Sequence, residues 1–370
     1  MTEDSKQRRI REWLAGGRAG PWMMEIHTTD RCNLSCLFCW RNTYGRKEDE
    51  LSDEKWIEII KDACEMGLKH LTIVGGGEPL LRLKLVKRLV EITKKHDIEG
   101  SIVTNGTLIT SEFAKHLVKN EWDGIAFSIN GVHSSTDNFL RNNKNAFEMS
   151  IKGIKSINYW KKKNRQKKPF LTLHPTINKY NYKEVVDMVK FAHKMKMDIV
   201  LLRLVNDKSG KFILNERQSI ELLSLIKKAN LLANKYGIEF IQEFTEKDLG
   251  FRSSENHQTN KEKIVNEKNN VNDILIHCPK PFFEIMISAD GITSPCCLIC
   301  ESRFKPDGPG NLINYLDNIK NKRLKDVWYG KTFNLFRKAV VNSLPEPCIK
   351  YCTTDQRYRI EKGKLLEDRW

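Results

Sequence analysis

The chain has 370 residues, 40% of them hydrophobic, and a formal net charge of +16. That length allows one large domain and a smaller one. The charged N-terminus leads into no apolar signal segment, and no apolar run approaches the roughly 20 residues that cross a bilayer. We therefore expect a cytoplasmic protein without a membrane partner, whose cysteines serve as metal ligands or catalytic groups rather than disulfides.

Strand-like and helix-like segments alternate along the first two thirds of the chain. After a polar helix and lead-in over residues 1–22, the hydrophobic periodicity predicts six strand–helix pairs. The predicted strands cover residues 23–29, 70–74, 101–104, 124–129, 170–177 and 198–205, and the predicted helices cover residues 53–66, 83–95, 111–119, 145–163, 182–195 and 218–236. Ser52 is the expected N-cap of the first of these helices.

Six such units in a row favour parallel strands joined by right-handed crossovers. They are too few to close an eight-stranded barrel, so the predicted fold is α/β, a partial (β/α)6 TIM barrel over residues 23–244. Residues 245–273 are polar and predict a linker. Residues 274–370 predict a small α+β domain, with a hairpin of residues 282–288 and 292–297 and an amphipathic helix over residues 324–341.

Three cysteines follow the first predicted strand in the pattern C-x3-C-x2-C. Cys32, Cys36 and Cys39 are one thiolate short of a tetrahedral zinc site and of a fully ligated four-iron cluster. A four-iron cluster on three cysteines leaves one iron open to another molecule, which favours catalysis over architecture. The alternative is a structural zinc site that lacks its fourth ligand.

Further loops with polar or glycine residues follow the next three strands. They are Gly75-Gly-Gly-Glu-Pro79, Thr104-Asn-Gly106 and Ser128-Ile-Asn130. Sites of parallel sheets gather at the carboxyl ends of the strands, so these loops are expected to converge. Glycines let a backbone approach a ligand closely, and the Glu78 carboxylate suits an ammonium group.

Together these motifs resemble those of the radical S-adenosylmethionine (SAM) enzymes, over roughly residues 23–236. The resemblance implies that Cys32, Cys36 and Cys39 hold a 4Fe-4S cluster whose open iron chelates SAM. One electron would cleave SAM to a 5′-deoxyadenosyl radical, which takes a hydrogen atom from the substrate. The implied SAM contacts are Phe38 at the adenine, Gly76, Gly77 and Glu78 at the methionine amino group, and Ser128 and Asn130 at the ribose or carboxylate. Arg141 could pair with the SAM carboxylate, and the alternative is that Arg141 is a surface arginine.

Four C-terminal cysteines form a second constellation: Cys278, Cys296, Cys348 and Cys352. The first two are spaced C-x12-G-x4-C, and the set resembles the auxiliary-cluster domain called SPASM or its shorter form, twitch. The central C-x2-C-x5-C-x3-C run of the full domain is absent, which implies one auxiliary 4Fe-4S cluster that carries electrons. Cys297 or Cys300 could replace Cys296, and a four-cysteine zinc site is the alternative. Cys64 lies in phase with the apolar face of its helix and is expected to be a core thiol.

Several polar residues are weaker candidates for substrate contact. Strand alternation puts Thr172, His174 and Thr176 on one face, which could point into the barrel. Arg203 could anchor an anion there, and Glu243 and Glu284 are candidate acid–base groups. The alternative for each is a structural polar residue.

The resulting hypothesis is a radical SAM enzyme of the oxidoreductase type, whose auxiliary cluster accepts an electron during oxidation of an anionic small molecule such as a sugar or nucleotide derivative. A peptide-modifying enzyme is the first alternative, although the 31 residues before Cys32 are too few for a peptide-recognition domain. A tRNA-modifying enzyme is the second, suggested by the basic run 155–168. That run is expected on the face opposite the cysteines, where an acidic donor such as flavodoxin or ferredoxin could dock instead. A non-catalytic, metal-stabilised binding protein is the third.

Overall fold

The computed structural model describes residues 5–41, 49–207, 209–250, 274–296, 299–300, 314–341, 343–345, 348, 356–361 and 364–369. The strands are β1 (Met23–His27), β2 (His70–Val74), β3 (Glu99–Thr104), β4 (Gly124–Phe127), β5 (Phe170–Leu173), β6 (Thr176–Ile177), β7 (Ile199–Leu204), β8 (Glu239–Gln242), β9 (Ile274–Ile276), β10 (Glu284–Ile287), β11 (Ile292–Ser294), β12 (Asp317–Asn318), β13 (Gln356–Glu361) and β14 (Lys364–Arg369). The helices are α1 (Ser5–Leu14), α2 (Asp53–Glu65), α3 (Leu83–Lys95), α4 (Ser111–Lys119), α5 (Ser134–Leu140), α6 (Ala146–Asn164), α7 (Val185–Lys194), α8 (Glu216–Tyr236), α9 (Leu324–Trp328) and α10 (Lys331–Ala339).

One long sheet carries the fold, in the order β12-β11-β10-β1-β2-β3-β4-β5-β7-β6, with β8 also paired to β7. The pairs from β10 through β1 to β8 are parallel, whereas β10, β11 and β12 are antiparallel to one another. The predicted partial barrel is thus confirmed. A separate three-stranded sheet has the order β14-β13-β9.

The predicted strand–helix pairs are confirmed, with local differences that have physical causes. Ser52 caps α2, its side chain accepting from the Lys55 N–H at 3.2 Å. The strand predicted over residues 170–177 divides into β5 and β6 at Pro175, which has no N–H for the ladder. The helix predicted over residues 324–341 divides into α9 and α10 at Gly330.

Long-range contacts add features that local patterns do not predict. β10 of the C-terminal domain pairs with β1, aligning Met23 with Glu284, so that domain extends the barrel sheet. The lead-in forms α1 and is packed rather than loose: Ile10 is fully buried, and Arg9 donates to the Gly67 carbonyl at 2.8 Å. β8 and α5 were also absent from the predicted elements.

The two faces of the parallel sheet differ in burial. The face toward the helices consists of apolar residues such as Ile26, Ile73 and Leu202, all fully buried. The opposite positions stay mostly half-exposed and form what we call the inner face: Glu25, His27, Thr72, Val74, Ser101, Val103, Ala126, Ser128, Thr172, His174, Leu201 and Arg203. A closed barrel packs this face with side chains. Here it borders open space.

Candidate active site

The loop that carries Cys32, Cys36 and Cys39 leaves the carboxyl end of β1 and is fixed by backbone hydrogen bonds. The N–H of Gly77 donates to Thr29 O at 2.9 Å, and the N–H of Glu78 donates to Arg31 O at 2.8 Å. Farther on, the N–H of Leu37 donates to the Leu140 carbonyl of α5 at 2.9 Å. The loops after β1 and β2 therefore converge, as the sequence predicts.

Two glycines of the loop after β2 are required by the cysteine loop itself. A Cβ on Gly76 would lie 2.0 Å from Asp30 Oδ1, and a Cβ on Gly77 would lie 1.8 Å from Arg31 O. Close approach of a ligand is the role expected of these glycines. The structure adds a different reason, because a side chain at Gly77 would meet the Arg31 backbone and one at Gly76 would meet the Asp30 carboxylate.

Glu78 is only 1% exposed, and both of its oxygens accept internal hydrogen bonds. Oε1 accepts from Leu80 N at 3.1 Å and from Thr104 Oγ1 at 2.7 Å, while Oε2 accepts from Asn105 N at 2.7 Å. Burial raises the pKa of Glu78, and the three donors oppose that shift. Glu78 therefore braces the loop after β2 against the loop after β3.

An amide network that the sequence did not single out joins the cysteine loop to the loop after β3. Asn105 Nδ2 donates to Asn33 Oδ1 at 2.9 Å, and Asn33 Nδ2 donates to Thr107 Oγ1 at 2.8 Å. The triangle closes as Thr107 Oγ1 donates to Asn105 Oδ1 at 2.7 Å. The only signal in the sequence was the Asn-Gly pair at the end of the third strand.

Arg141 is fully buried, so the surface-arginine alternative is wrong. Its Nη1 donates to Asp137 and Ser150, each at 3.0 Å, and its Nη2 donates to Asn105 O at 2.6 Å. Among the described residues, its Nε is buried without a hydrogen-bond partner. The Arg141 guanidinium is therefore enclosed by protein atoms on all sides.

Asn130 and Ser128 have different settings, although they are neighbours after β4. Asn130 is 3% exposed: its N–H donates to Asp137 Oδ1 at 2.7 Å, and its Oδ1 accepts from Thr176 N at 2.8 Å. Its carbonyl also accepts from Asn181 Nδ2 at 2.6 Å. Ser128 is half-buried on the inner face. Ser128 can meet a ligand, whereas Asn130 holds the surrounding loops together.

The thiols of the cysteine loop are half-buried and influence one another. The pKa of Cys36 is raised to about 12, chiefly by burial and also by Cys39 and Cys32, while Arg141 opposes the rise. Thiolate ligation therefore needs a strongly cationic centre. Within the described ranges, no three His, Cys, Asp or Glu side chains gather as ligands of a single ion. A four-iron cluster takes each thiolate on a different iron, so this set fits a cluster better than zinc.

A row of aromatic side chains runs from the cysteine loop across the mouth of the site. Phe38 meets Phe212 edge-on with ring centroids 6.1 Å apart, and Phe212 lies 5.7 Å from Tyr180. Tyr180 in turn meets Phe139 of α5 at 5.3 Å. Phe38 is thus held beside the cysteines by rings from neighbouring loops.

Charged pairs line the inner face below this mouth. His27 Nε2 lies 3.1 Å from Glu25 Oε1 on β1, and Arg203 pairs with Glu243 at 2.7 Å. Burial, aided by the Arg203 charge, lowers the pKa of His174 to about 4, so its ring is neutral at physiological pH. The side chain of Arg203 is 58% exposed, which shows how open the space is.

Glu284 differs from these residues because it is enclosed. It begins β10, is 6% exposed, and accepts from Lys280 Nζ at 2.9 and 2.7 Å. Burial raises the pKa of Glu284, although Lys280 acts against the rise. The ion pair with Lys280 explains how Glu284 is tolerated in a buried position, and the negative charge of Glu25 on the inner face also raises the pKa of Glu284.

Three of the four C-terminal cysteines meet around one apolar cluster. This second apolar cluster comprises Ile10, Ile276, Phe282, Phe283, Ile299, Phe336, Val340 and Cys348, with Cys278 and Cys296 packed against it. Cys278 precedes β10 and Cys296 follows the antiparallel β11, so both lie at the opposite end of the sheet from the cysteine loop. Cys300 is buried nearby in sequence, and Cys352 and Cys297 lie outside the described residues.

Two other sequence features have structural settings of their own. Cys64 packs against the main core from α2, as expected, and burial raises its pKa to about 11. The basic run lies at the end of α6, before β5, and so faces away from the cysteine loop. Lys168 of that run pairs with Asp123 at 2.5 Å. In the part of the chain described, no helix has the length and apolar character to cross a membrane.

The sequence matches the profile of the radical SAM superfamily over residues 26–192 and that of SPASM, an iron–sulfur cluster-binding domain, over residues 278–353. The chain thus carries a radical SAM superfamily domain followed by a C-terminal SPASM iron–sulfur domain. Its cofactors are accordingly SAM and 4Fe-4S clusters, with an auxiliary cluster in the SPASM domain.

Curated relatives of diverse function share part of this chain. It is 29% identical to Fe-coproporphyrin III synthase of Methanosarcina barkeri, over 52% of this chain and 46% of that protein. It is 25% identical to the tungsten-containing aldehyde ferredoxin oxidoreductase cofactor-modifying protein of Pyrococcus furiosus, over 48% of this chain and 49% of that protein. The chain thus aligns with about half the length of these relatives.

Solved structures share the fold over more of the chain. Streptococcus suis SuiB bound to precursor peptide SuiA has a TM-score of 0.63 and 18% identity, covering 90% of this chain and 70% of SuiB. The enzyme anSMEcpe with bound AdoMet and Kp18Cys peptide has a TM-score of 0.58 and 18% identity, covering 90% of this chain and 86% of that chain. Both likenesses support the barrel with its C-terminal extension.

Proposed function

We propose that the enzyme modifies a peptide that enters the space before the inner face. The observation that carries this proposal is the half-exposed, polar inner face, which lies between the cysteine loop at one end of the sheet and the C-terminal cysteines at the other. Its exposed Arg203–Glu243 pair offers both a donor and an acceptor to a polar chain. Two solved structures of this fold hold a peptide, which favours this substrate class over a small anion.

Cys32, Cys36 and Cys39 are the proposed ligands of the SAM-binding cluster. When bound, the cluster and SAM supply a 5′-deoxyadenosyl radical that removes a hydrogen atom from the substrate. The proposed SAM contacts are Phe38, the backbones of Gly76 and Gly77, and Ser128, while the fully buried Arg141 contributes its positive charge from behind them. Glu78 and Asn130, whose polar groups are already engaged, hold these contacts in place from behind.

Cys278, Cys296, Cys348 and Cys352 are the proposed ligands of a single auxiliary cluster. Cys278 and Cys296 lie beyond the amino end of β10, so they would hold that cluster across the inner face from the proposed SAM site. A cluster held there would supply an electron acceptor, so that loss of a hydrogen atom followed by loss of an electron would oxidise the substrate by two electrons. A neutral His174 on the inner face is suited to accept the proton released.

A small anionic substrate is the second candidate. It is favoured by the 29% identity to a synthase named for Fe-coproporphyrin III, and Arg203 would be its anchor. The two candidates differ in what stimulates SAM cleavage. A tryptic digest of the host proteome should raise 5′-deoxyadenosine formation and yield peptides changed in mass. Stimulation by a protein-free metabolite extract alone would instead favour the small anion.

Replacing Cys36 by alanine tests the radical chemistry directly. After anaerobic reconstitution we expect roughly eight irons in the native enzyme and roughly four in Cys36→Ala, which should form no 5′-deoxyadenosine with SAM and dithionite. Cys64→Ala is the matched control and should resemble the native enzyme, because Cys64 is a core thiol. SAM cleavage by Cys36→Ala would contradict the ligand assignment.

A further inference from the structure

Arg337, on α10, is a cation enclosed by neutral groups. It is 4% exposed, and its Nε donates to Pro281 O at 2.8 Å. Its Nη1 donates to Trp328 O and to Asn334 Oδ1, both at 2.8 Å. Every one of these acceptors is uncharged. The hydrogen bonds therefore satisfy much of the guanidinium without balancing its charge.

Aromatic rings cover the guanidinium. Its central carbon lies 3.8 Å from the ring centroid of Trp13, 4.5 Å from that of Trp328 and 5.5 Å from that of Phe333. Within the described ranges, no carboxylate pairs with Arg337, and its Nη2 is buried without a partner. Burial lowers the pKa of Arg337 to about 9, which leaves it charged at neutral pH. An unbalanced charge in such a place costs several kcal/mol.

Three C-terminal cysteines belong to the same apolar surroundings as Arg337. Trp13, on which Arg337 stacks, packs against the second apolar cluster, as do Cys278 and Cys296. Phe336, the neighbour of Arg337 on α10, is a member of that cluster together with Cys348. Pro281, which accepts from Arg337, follows Cys278 by one short turn. The cation and the cysteines thus occupy adjoining parts of one core.

We propose that Arg337 is a positioning charge for the auxiliary cluster, and that it raises the reduction potential of that cluster. The proposal rests on the proposed function, because it needs a cluster at the four C-terminal cysteines. A 4Fe-4S cluster on four thiolates is an anion, and it becomes more negative when reduced. A fixed cation in a low-dielectric core stabilises the reduced state more than the oxidised one. The shift suits a cluster that receives an electron from a substrate.

The test removes the charge and measures the potential rather than the activity. In a Cys36→Ala background only the auxiliary cluster remains, so an electron paramagnetic resonance redox titration reports it alone. The two proteins are compared at the potential where the auxiliary cluster of the Cys36→Ala parent is half reduced. At that potential, the ratio of reduced to oxidised cluster should be about threefold lower, or more, in the variant that also carries Arg337→Met. Arg337→Lys retains the charge and should stay within about twofold of the parent.

Iron content and the thermal midpoint are measured on the same samples. A merely structural role would lower the midpoint and leave the titration unchanged, so an unshifted titration at full iron content overturns the proposal. If Arg337→Met does not retain iron, Arg337→Gln carries the same prediction, because it keeps a donor for the Pro281 carbonyl. If Cys36→Ala itself contained no iron, the assignment of an auxiliary cluster to the C-terminal cysteines would be wrong. The proposed role of Arg337 would then fall with that assignment.

Discussion

Replacing Glu78 by glutamine separates two roles for this carboxylate. If Glu78 pairs with the amino group of SAM, the change affects ligand binding. If it braces the two loops, as its three internal hydrogen bonds indicate, the change destabilises the protein even without SAM. The side chain is 1% exposed, so water cannot replace a lost partner.

The magnitude follows from the donors. A glutamine can place its oxygen where Oε1 accepts from Leu80 and Thr104, but its NH2 group then faces the N–H of Asn105. The loss of one charge-assisted hydrogen bond, together with two opposed buried donors, costs about 2–4 kcal/mol. For a domain of this size that is a fall in the thermal midpoint of roughly 5–10 °C.

Circular dichroism melts of the SAM-free, reconstituted protein provide the assay. Glu91→Gln is the matched control, because Glu91 is exposed on α3 and pairs only with Arg88 at 2.9 Å. Its midpoint should change by no more than about 1 °C. An unchanged thermal midpoint for Glu78→Gln, together with weakened SAM binding in equilibrium dialysis, would refute the bracing role. It would instead support a contact between Glu78 and the amino group of SAM.

Two further predictions concern pH and packing. The folded protein holds His174 neutral down to a pH of about 4, whereas the unfolded chain binds that proton near 6.5, so stability should fall as pH drops from 6.5 to 4. The free energy of unfolding should fall by at most about 3 kcal/mol over this range. Urea unfolding of His174→Gln should show no such fall. Equal acid sensitivity in both proteins would contradict the lowered pKa of His174. Gly100→Ala puts a Cβ 2.0 Å from the Trp122 ring and should lower the melting midpoint, while Gly124→Ala, whose nearest neighbour is 3.7 Å away, is tolerated. Equal midpoints for the two alanine variants would show that Trp122 can move aside.

The barrel elements could be predicted because each helix or strand shows its hydrophobic periodicity within its own segment of the sequence. The bounds of β2, α3 and α4 agree with the predicted ranges, since the apolar spacing and caps of these segments agree. The pairing of β10 with β1 could not be predicted, because no local pattern specifies a partner so distant in sequence. Pro175 and Gly330 were visible in the sequence, but their effect as breaks was underestimated.

The candidate site, too, could be predicted only in part from the sequence. Motif spacing located the cysteines and the convergent loops, but it did not show which polar groups face inward. Glu78 and Arg141 are both buried behind the loops: three hydrogen bonds reach the Glu78 carboxylate, while the Arg141 Nε has no partner among the described residues. Hydrogen-bond satisfaction depends on the tertiary structure, so spacing alone could not separate supports from contacts.

The parallel pairing of β10 with β1 has a consequence for biosynthesis. β1 leads directly into the cysteine loop, yet one of its edges gains its partner only after the chain has been made through Ile287. Until then a strand with unpaired N–H and C=O groups stands beside a nearly complete barrel, open to pairing with another chain. Release of a truncated product, or delayed arrival of the C-terminal domain, should therefore favour aggregation through the very strand that positions the radical chemistry.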